Sequence, residues 1–203
     1  ETTQLTVYLN QGDYGFNESF SLEEDLSPFS DYFEEQVADM DTDGFLDIVI
    51  IESGLAPRLF LGDGSGDFNE VDGTFGDEEL GEDVQGFGLG DIDNDGDVDL
   101  VFPSCDVDSC SVALAYNQGN GLEYDLNYIG EAEPEAVNML VLADFNNDGW
   151  LDVLTPKRLA LNDKQGFSSL PITVVSMPDN VSDMEVIDLD NNGFVDIIYS
   201  LVL

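Results

Sequence analysis

Four short apolar runs rich in β-branched residues punctuate the chain: LDIVII (46–51), VDLVF (98–102), LDVLT (151–155) and VDIIYS (195–200). Branching at Cβ favours a pleated backbone, so each run predicts a strand. Just upstream of each lies a second apolar segment, QVAD (36–39), GFGLGD (86–91), NMLVLAD (138–144) and MEVID (184–188), which predicts a partner strand. An Asp-rich turn separates the two. A different hairpin alternates with this one: QLTVYLNQGDYGFNESF (4–20), RLFLGDGSGDFNEV (58–71), ALAYNQGNGLEYDL (113–126) and RLALNDKQGFSSLPI (158–172). Each of these folds about Gly and Asn residues, which suit tight turns.

With the Asp-turn hairpin labelled AB and the Gly/Asn-turn hairpin CD, the chain reads CD, AB-CD, AB-CD, AB-CD, AB. The Asp-rich turns begin at 39, 91, 144 and 188, spacings of 52, 53 and 44. Four strands per repeat of this length predict an all-β fold, a β-propeller of four-stranded blades. The blades would comprise 36–71, 86–126 and 137–172, with 4–20 and 183–200 as terminal half-blades that complete each other, within one chain or between two. The D-to-A connections (21–35, 72–85, 127–136, 173–182) are the longest, and within the first, SLEEDL predicts a helical turn capped by Ser21 with Glu24 three residues on. These connections should crowd the face opposite the Asp-rich turns. Phe29, Tyr32 and Phe33 are expected to be exposed there as a contact surface. The recurring aromatics Tyr8, Phe16, Phe60, Phe68, Tyr116, Tyr124 and Phe167 are expected to pack between blades.

The Asp-rich turns share one pattern: DMDTDGFLDI (39–48), DIDNDGDVDL (91–100), DFNNDGWLDV (144–153) and DLDNNGFVDI (188–197). Oxygen-bearing side chains stand at positions 1, 3, 5 and 9, Gly at 6, and aliphatic residues at 8 and 10. A hard cation takes six to eight oxygen ligands, and alternate residues of a tight turn can converge on one. Position 7 (Phe45, Asp97, Trp150, Phe194) would contribute a backbone carbonyl, leaving its side chain free to vary; at Trp150 the indole would shield the ion. Crowded carboxylates repel one another, and a divalent cation makes such crowding tolerable. An EF-hand is excluded, because position 12, where it needs a bidentate Glu, is Ile50, Phe102, Thr155 and Tyr199.

Composition alters this picture chiefly through charge. Acidic residues number 45 against four basic ones (Arg58, Lys157, Arg158, Lys164), a net charge of −41. Four calcium ions would offset only a small part, so the excess points to a saline or crowded external setting in which such a field is screened. Nucleic acid and anionic membranes are poor partners for a surface with no basic patch. No run approaches the length of a membrane-spanning helix, and a chain opening on Glu1 without Met is expected to be a processed or trimmed product. Cys105 and Cys110 bracket CDVDSC and are expected to form a disulfide in a secreted protein. Sequons at Asn17 and Asn180 permit glycosylation.

DxDxDGxxD[LI] followed by LFxGDGxGxF (59–68) resembles the FG-GAP or VCBS repeat of integrin α-chain propellers, secreted bacterial proteins, a fungal lectin and some polysaccharide lyases. The resemblance implies structural calcium, about four ions, held by Asp39, Asp41, Asp43 and Asp47; Asp91, Asp93, Asp95 and Asp99; Asp144, Asn146, Asp148 and Asp152; Asp188, Asp190, Asn192 and Asp196. Family rings have about seven blades, whereas this chain has strands for four, which implies an unusually small ring, a piece of a longer chain or a subunit completed by its neighbour.

The expected function is that of a non-catalytic, secreted or cell-surface module for adhesion or structural assembly, its partner a protein, a glycan or a copy of itself. One alternative is a filament or surface-layer subunit joined by strand exchange through 4–20 and 183–200. Others are a lectin-like module and a lyase-like enzyme. The last is disfavoured by the absence of His and the scarcity of cations, with Lys157 and Arg158 beside a Tyr as its discriminating feature.

Overall fold

The computed structural model describes residues 2–12, 14–25, 33–52, 55–72, 75, 86–105, 110–121, 123–132, 139–167, 177–178 and 180–202. Among them every regular element is a strand. The first hairpin, β1 (Thr2–Asn10) and β2 (Phe16–Asp25), stands as a sheet of two strands. Next come two complete four-stranded meanders. One comprises β3 (Phe33–Ala38), β4 (Asp47–Glu52), β5 (Arg58–Gly62) and β6 (Phe68–Val71); the other comprises β7 (Gly88–Gly90), β8 (Asp99–Cys105), β9 (Cys110–Asn117) and β10 (Tyr124–Ala132). The third unit has β11 (Val141–Ala143), β12 (Asp152–Leu154) and β13 (Leu159–Ala160) in one sheet, with β14 (Asn162–Asp163) and β15 (Gly166–Phe167) paired separately. Its third strand changes partner at Leu161. A final hairpin, β16 (Val181–Ile187) and β17 (Asp196–Leu201), closes the chain.

The predicted alternation of hairpins is therefore present, in order and antiparallel throughout. One expectation is corrected: residues 21–25 continue β2, paired from Ser21 opposite Thr6 to Asp25 opposite Thr2, so the helical turn at Ser21–Glu24 does not form. Alternation of Phe20 and Leu22 with polar neighbours fits a period of two, and sheet pairing outweighs the local capping signal.

Strand alternation also explains the core. In β4, Ile48 and Ile50 face one way, towards Leu5, Val7, Phe20 and Leu22 of the first hairpin. Val49 and Ile51 face the other way, packing with Leu59 against Leu100, Phe102, Ala113 and Ala115 of the second meander. Val101, Val112 and Leu114 continue the stack onto Leu140, Val153 and Ala160, and Leu154 and Leu159 onto Val181 and Met184. Each sheet is thus apolar on both faces, which is why the B strands read as continuous apolar runs. The first strands β3, β7, β11 and β16 approach one another around shared clefts, one of ≈ 300 Å³ lined by Glu34, Gln36, Phe87, Val141, Asp183 and Met184 among others.

The recurring aromatics divide. Phe60 is buried; Phe68, Tyr116, Tyr124 and Phe167 pack against the cores, Tyr124 with its ring 4.6 Å from that of Phe75. Tyr8 and Phe16 are exposed, since among the described residues no sheet packs on that face of the first hairpin. Phe33 also departs from expectation: it leans on the Ile48–Ile50–Phe60 cluster. Phe29 and Tyr32 lie outside the described residues. Nor, among the described residues, do the terminal hairpins pair with each other: β1 pairs with β2 and β17 with β16. Cys105 and Cys110 are cross-strand partners in the β8–β9 ladder; their side chains lie outside the described residues.

Candidate metal centres

The four Asp-rich turns share two internal hydrogen bonds. The N–H of Gly at position 6 donates to the carboxylate of position 1 in every copy: Gly44 to Asp39, Gly96 to Asp91, Gly149 to Asp144 and Gly193 to Asp188, at 2.8–3.0 Å. The N–H of position 7 donates to the side chain at position 5, as Phe45 to Asp43, Asp97 to Asp95, Trp150 to Asp148 and Phe194 to Asn192. In three copies the other oxygen of position 1 accepts the N–H of position 5, Asp91 from Asp95, Asp144 from Asp148 and Asp188 from Asn192, at 3.0–3.1 Å, whereas in the first copy the Asp43 N–H donates to Asp41. The reversal needs two left-handed residues, position 4 (Thr42, Asn94, Asn147, Asn191; φ 58–59°) and the Gly at position 6 (φ 89–103°). Glycine supplies the second at little cost. Asn tolerates the first, and Thr42 is the strained exception.

Position 9 has a role that its expected part as a ligand did not reveal. Asp47, Asp99 and Asp152 are completely buried, and each joins its turn to the next hairpin. Oδ2 accepts the N–H of position 2, from Met40, Ile92 and Phe145, at 2.7–2.9 Å. Oδ1 accepts an N–H from the end of the third strand, from Gly62, Asn117 and Asn162, at 2.8 Å. In the last turn Asp196 Oδ2 accepts from Leu189 in the same way. Burial without a fixed positive charge makes ionisation costly: it pushes the Asp99 carboxyl up to about 7, two backbone bonds only partly opposing it. Asp47 and Asp152 are raised for the same first reason, burial, as is Asp93, which also faces Asp95.

Two asparagines at the end of the third strand fasten one repeat to the previous one. Asn117 Nδ2 donates to Met40 O (2.6 Å) and Val98 O (3.1 Å), and Asn162 Nδ2 to Ile92 O (2.7 Å) and Leu151 O (3.2 Å). A second latch runs between turns: Asn94 Nδ2 donates to Gly149 O (3.2 Å) and Asn147 Nδ2 to Gly193 O (2.7 Å). The sequence did display these residues, as Asn recurring in YNQG, LNDK and LNQG, but as turn formers only.

Carboxylates converge in three of the turns. One oxygen each from Asp39, Asp41 and Asp43, from Asp91, Asp93 and Asp99, and from Asp188, Asp190 and Asp196 lie within 4.8 Å of one another. In the third turn Asn146 directs its Nδ2 to Asp148 Oδ2 (2.9 Å), leaving its carbonyl oxygen to accept from the Asp148 N–H. Asp39 Oδ1 is buried and has no hydrogen-bond partner. A buried anionic oxygen in that state is costly, and a cation among Asp39, Asp41 and Asp43 would satisfy it. The donor set, all oxygen and mostly carboxylate, fits a hard divalent ion.

Elsewhere, Lys157 Nζ donates to Met177 O (3.1 Å), and Arg158 sits in the Thr155–Arg158 turn between β12 and β13. Arg58 forms an ion pair with Glu70 at 2.6 Å beside the Phe60 ring. A groove of ≈ 400 Å³ between the second and third units, lined by Tyr116, Trp150, Asp93, Asp125, Gln118 and Lys164 among others, opens next to the Asp-rich turns. Trp150 is thus a wall of this groove, half-buried. Asn17 and Asn180 are exposed; Asn180 Nδ2 donates to Val202 O. Among the described residues no helix is long and apolar enough to cross a membrane.

Comparison with known families gives a match over residues 39–102 to the model described as FG-GAP-like repeat. The match runs from the first Asp-rich turn through β4, β5 and β6 and the second turn into β8, so this stretch is similar to an FG-GAP-like repeat. Among curated proteins no sequence matches.

Proposed function

We propose that this chain is an extracellular calcium-binding module, non-catalytic, whose repeats are arranged as the blades of a small β-propeller for adhesion or structural assembly at a cell surface. The observation that carries the reading is the buried, unpartnered Asp39 Oδ1 beside Asp41 and Asp43, in a turn whose Gly-to-position-1 bond recurs in three more turns. Asp39, Asp41 and Asp43, their counterparts in the other turns, and the carbonyls of position 7 would hold the ions. Each ion neutralises like charges that otherwise push the turn apart, so its role is to stiffen the turns. The match to an FG-GAP-like repeat supports the propeller and the external setting.

Thermal unfolding in millimolar calcium and in chelator tests this. At ten to a hundred times Kd each site contributes about 1.4–2.7 kcal/mol. A large rise in Tm with calcium and titration of about four ions are expected. Equal Tm values in calcium and chelator would refute the reading.

A second reading, glycan binding, is favoured by the groove that sets Tyr116 and Trp150 beside amide and carboxylate side chains. Aromatic faces with planar polar groups suit sugar rings. A change in the fluorescence of Trp150, the single indole of the chain, on titration with sugar is the expected signature, abolished in Tyr116→Ala; an indole spectrum that sugars leave unchanged would sink it. Lys157 and Arg158 do not line this groove, so the lyase-like alternative has no comparable support.

A further inference from the structure

The two ends of the repeat stack are left with halves of the contact that joins its interior repeats. At turn position 2, Met40 and Ile92 are fully buried under the following repeat, whereas the equivalent Leu189 is 57% exposed. Ten residues after the turn begins, Val49, Val101 and Leu154 are buried, whereas Ile198 is 42% exposed. At the other end, Leu89 and Val98, like Leu142 and Leu151, pack against the preceding sheet, whereas their equivalents in the first repeat, Val37 and Leu46, are 58% and 60% exposed. Tyr8, equivalent to the buried Phe60, is exposed as well.

The polar contacts are halved in the same way. Asp47 and Asp99 each take a backbone N–H on Oδ1 from the third strand of their own sheet, and Asp152 takes one from Asn162 of β14, just past β13, but among the described residues β17 has no third strand beside it and Asp196 Oδ1 has no such donor. The missing donor exists at the other end of the chain. Asn10 stands where Asn117 and Asn162 stand: its Oδ1 accepts Gly12 N–H at 2.8 Å, as Asn117 Oδ1 accepts Gly119 N–H at 3.0 Å, and the next N–H closes the turn in both hairpins. The outer edge of β1 is unpaired, as is that of β17. Asn191 has the left-handed φ of 58° that lets Asn94 and Asn147 latch the following turn, and among the described residues it makes no such latch.

We propose that β1–β2 of a second copy docks on β17, so that copies follow one another head to tail as one repeat follows the next. Asn10 of one chain then meets Asp196 of another, Leu189 and Ile198 meet Val37 and Leu46, and Asn191 latches the Gly44 carbonyl. Complementarity commits the site to this occupant: what fits the open edge of β17 is the open edge of β1, and among the described residues of one chain the two edges are unpaired. The contact is heterologous, so it propagates into a polymer or a closed ring of chains. Both surfaces are acidic, with Asp188, Asp190 and Glu185 at one end and Glu35, Asp41 and Asp43 at the other, so association requires calcium or high salt.

This rests on the repeat arrangement of the reading above, but not on calcium occupancy. The test is solution mass by light scattering, with rising protein concentration, in millimolar calcium and separately in chelator with molar salt. Wild type is expected to move from 22.2 kDa to multiples of that mass. Leu189→Asp/Ile198→Asp blocks one end and Tyr8→Asp/Val37→Asp the other; each variant alone should stay monomeric, and their equimolar mixture should give a dimer and nothing larger. A wild type that remains at 22.2 kDa at every concentration, or a mixture that gives no dimer, overturns the proposal. Calcium-dependent Tm, measured on the same samples, separates the two ideas. A retained shift with no association sinks the assembly alone, and association in salt with no calcium shift sinks the calcium reading alone.

Discussion

Replacing Asp99 by Ala should have opposite pH trends with and without calcium. Without metal, the substitution leaves two buried backbone donors, Ile92 N and Asn117 N, without an acceptor. Each orphaned donor costs about 1–3 kcal/mol, so the loss at pH 5 should be about 2–6 kcal/mol. In a chain of this length each kcal/mol lowers Tm by about 2–4 °C. As pH rises the loss should shrink. The Asp99 carboxyl ordinarily titrates at 3.8 and is pushed up to about 7 in the fold by burial. Between those values the folded chain holds the proton that the unfolded chain has released, so wild type loses stability with rising pH, and the Ala variant, lacking the group, does not. Solvent at the mouth of the turn screens part of this, leaving an effect on the order of 2 kcal/mol by pH 8. In saturating calcium the trend should reverse, because the ionised carboxylate becomes a ligand and its removal costs more as pH rises. Urea unfolding of wild type, Asp99→Ala and Asp99→Asn at pH 5 and pH 8, in chelator and in calcium, measures all of this. A difference between wild type and Asp99→Ala that grows with pH in chelator would refute the argument that burial, rather than a bound cation, governs this group.

Asn162→Ala should lower stability by about 1–3 kcal/mol in calcium and chelator alike, since it leaves Ile92 O and Leu151 O without their amide donor; Tm reads it. Thr42→Asn should raise stability by about 0.5–1 kcal/mol by relieving a β-branched residue at φ 59°, and the gain should survive chelation. Reducing agent should cost about 2 kcal/mol if Cys105 and Cys110, paired in register, are joined; an intact mass that gains two alkyl groups when the unfolded protein is alkylated without reductant would show that they are not. Calcium affinity should weaken as pH falls below about 7, because Asp99 must lose its proton to bind; titration at pH 6 and pH 8 checks it.

Much of this protein is legible in one dimension because its signals are local and repeated. A period of two, interrupted by Gly and Asn, places the strands, and four turns with oxygen donors at alternating positions announce the site chemistry before any coordinate is known. Even the sharpness of the reversal is written in Gly44, Gly96, Gly149 and Gly193. Where local signals conflicted, sheet pairing prevailed, as at Ser21–Glu24, because hydrogen bonds to β1 and burial of Phe20 and Leu22 outweigh a single cap. What only the tertiary structure decided are relations between residues far apart in the chain. Asp47, Asp99 and Asp152 look in sequence like one more ligand each, yet packing buries them and makes them the bolts between turn and strand. Asn117 and Asn162 look like turn formers, yet they reach back 77 and 70 residues to the preceding repeat. Whether Tyr8 packs like Phe60 depends on whether a sheet lies beside it, and that is a property of the stack rather than of any hairpin. Short-range pattern fixes which backbone groups can pair; long-range packing fixes which of them lose access to water, and burial sets both the energetic weight of each bond and the ionisation of each carboxylate.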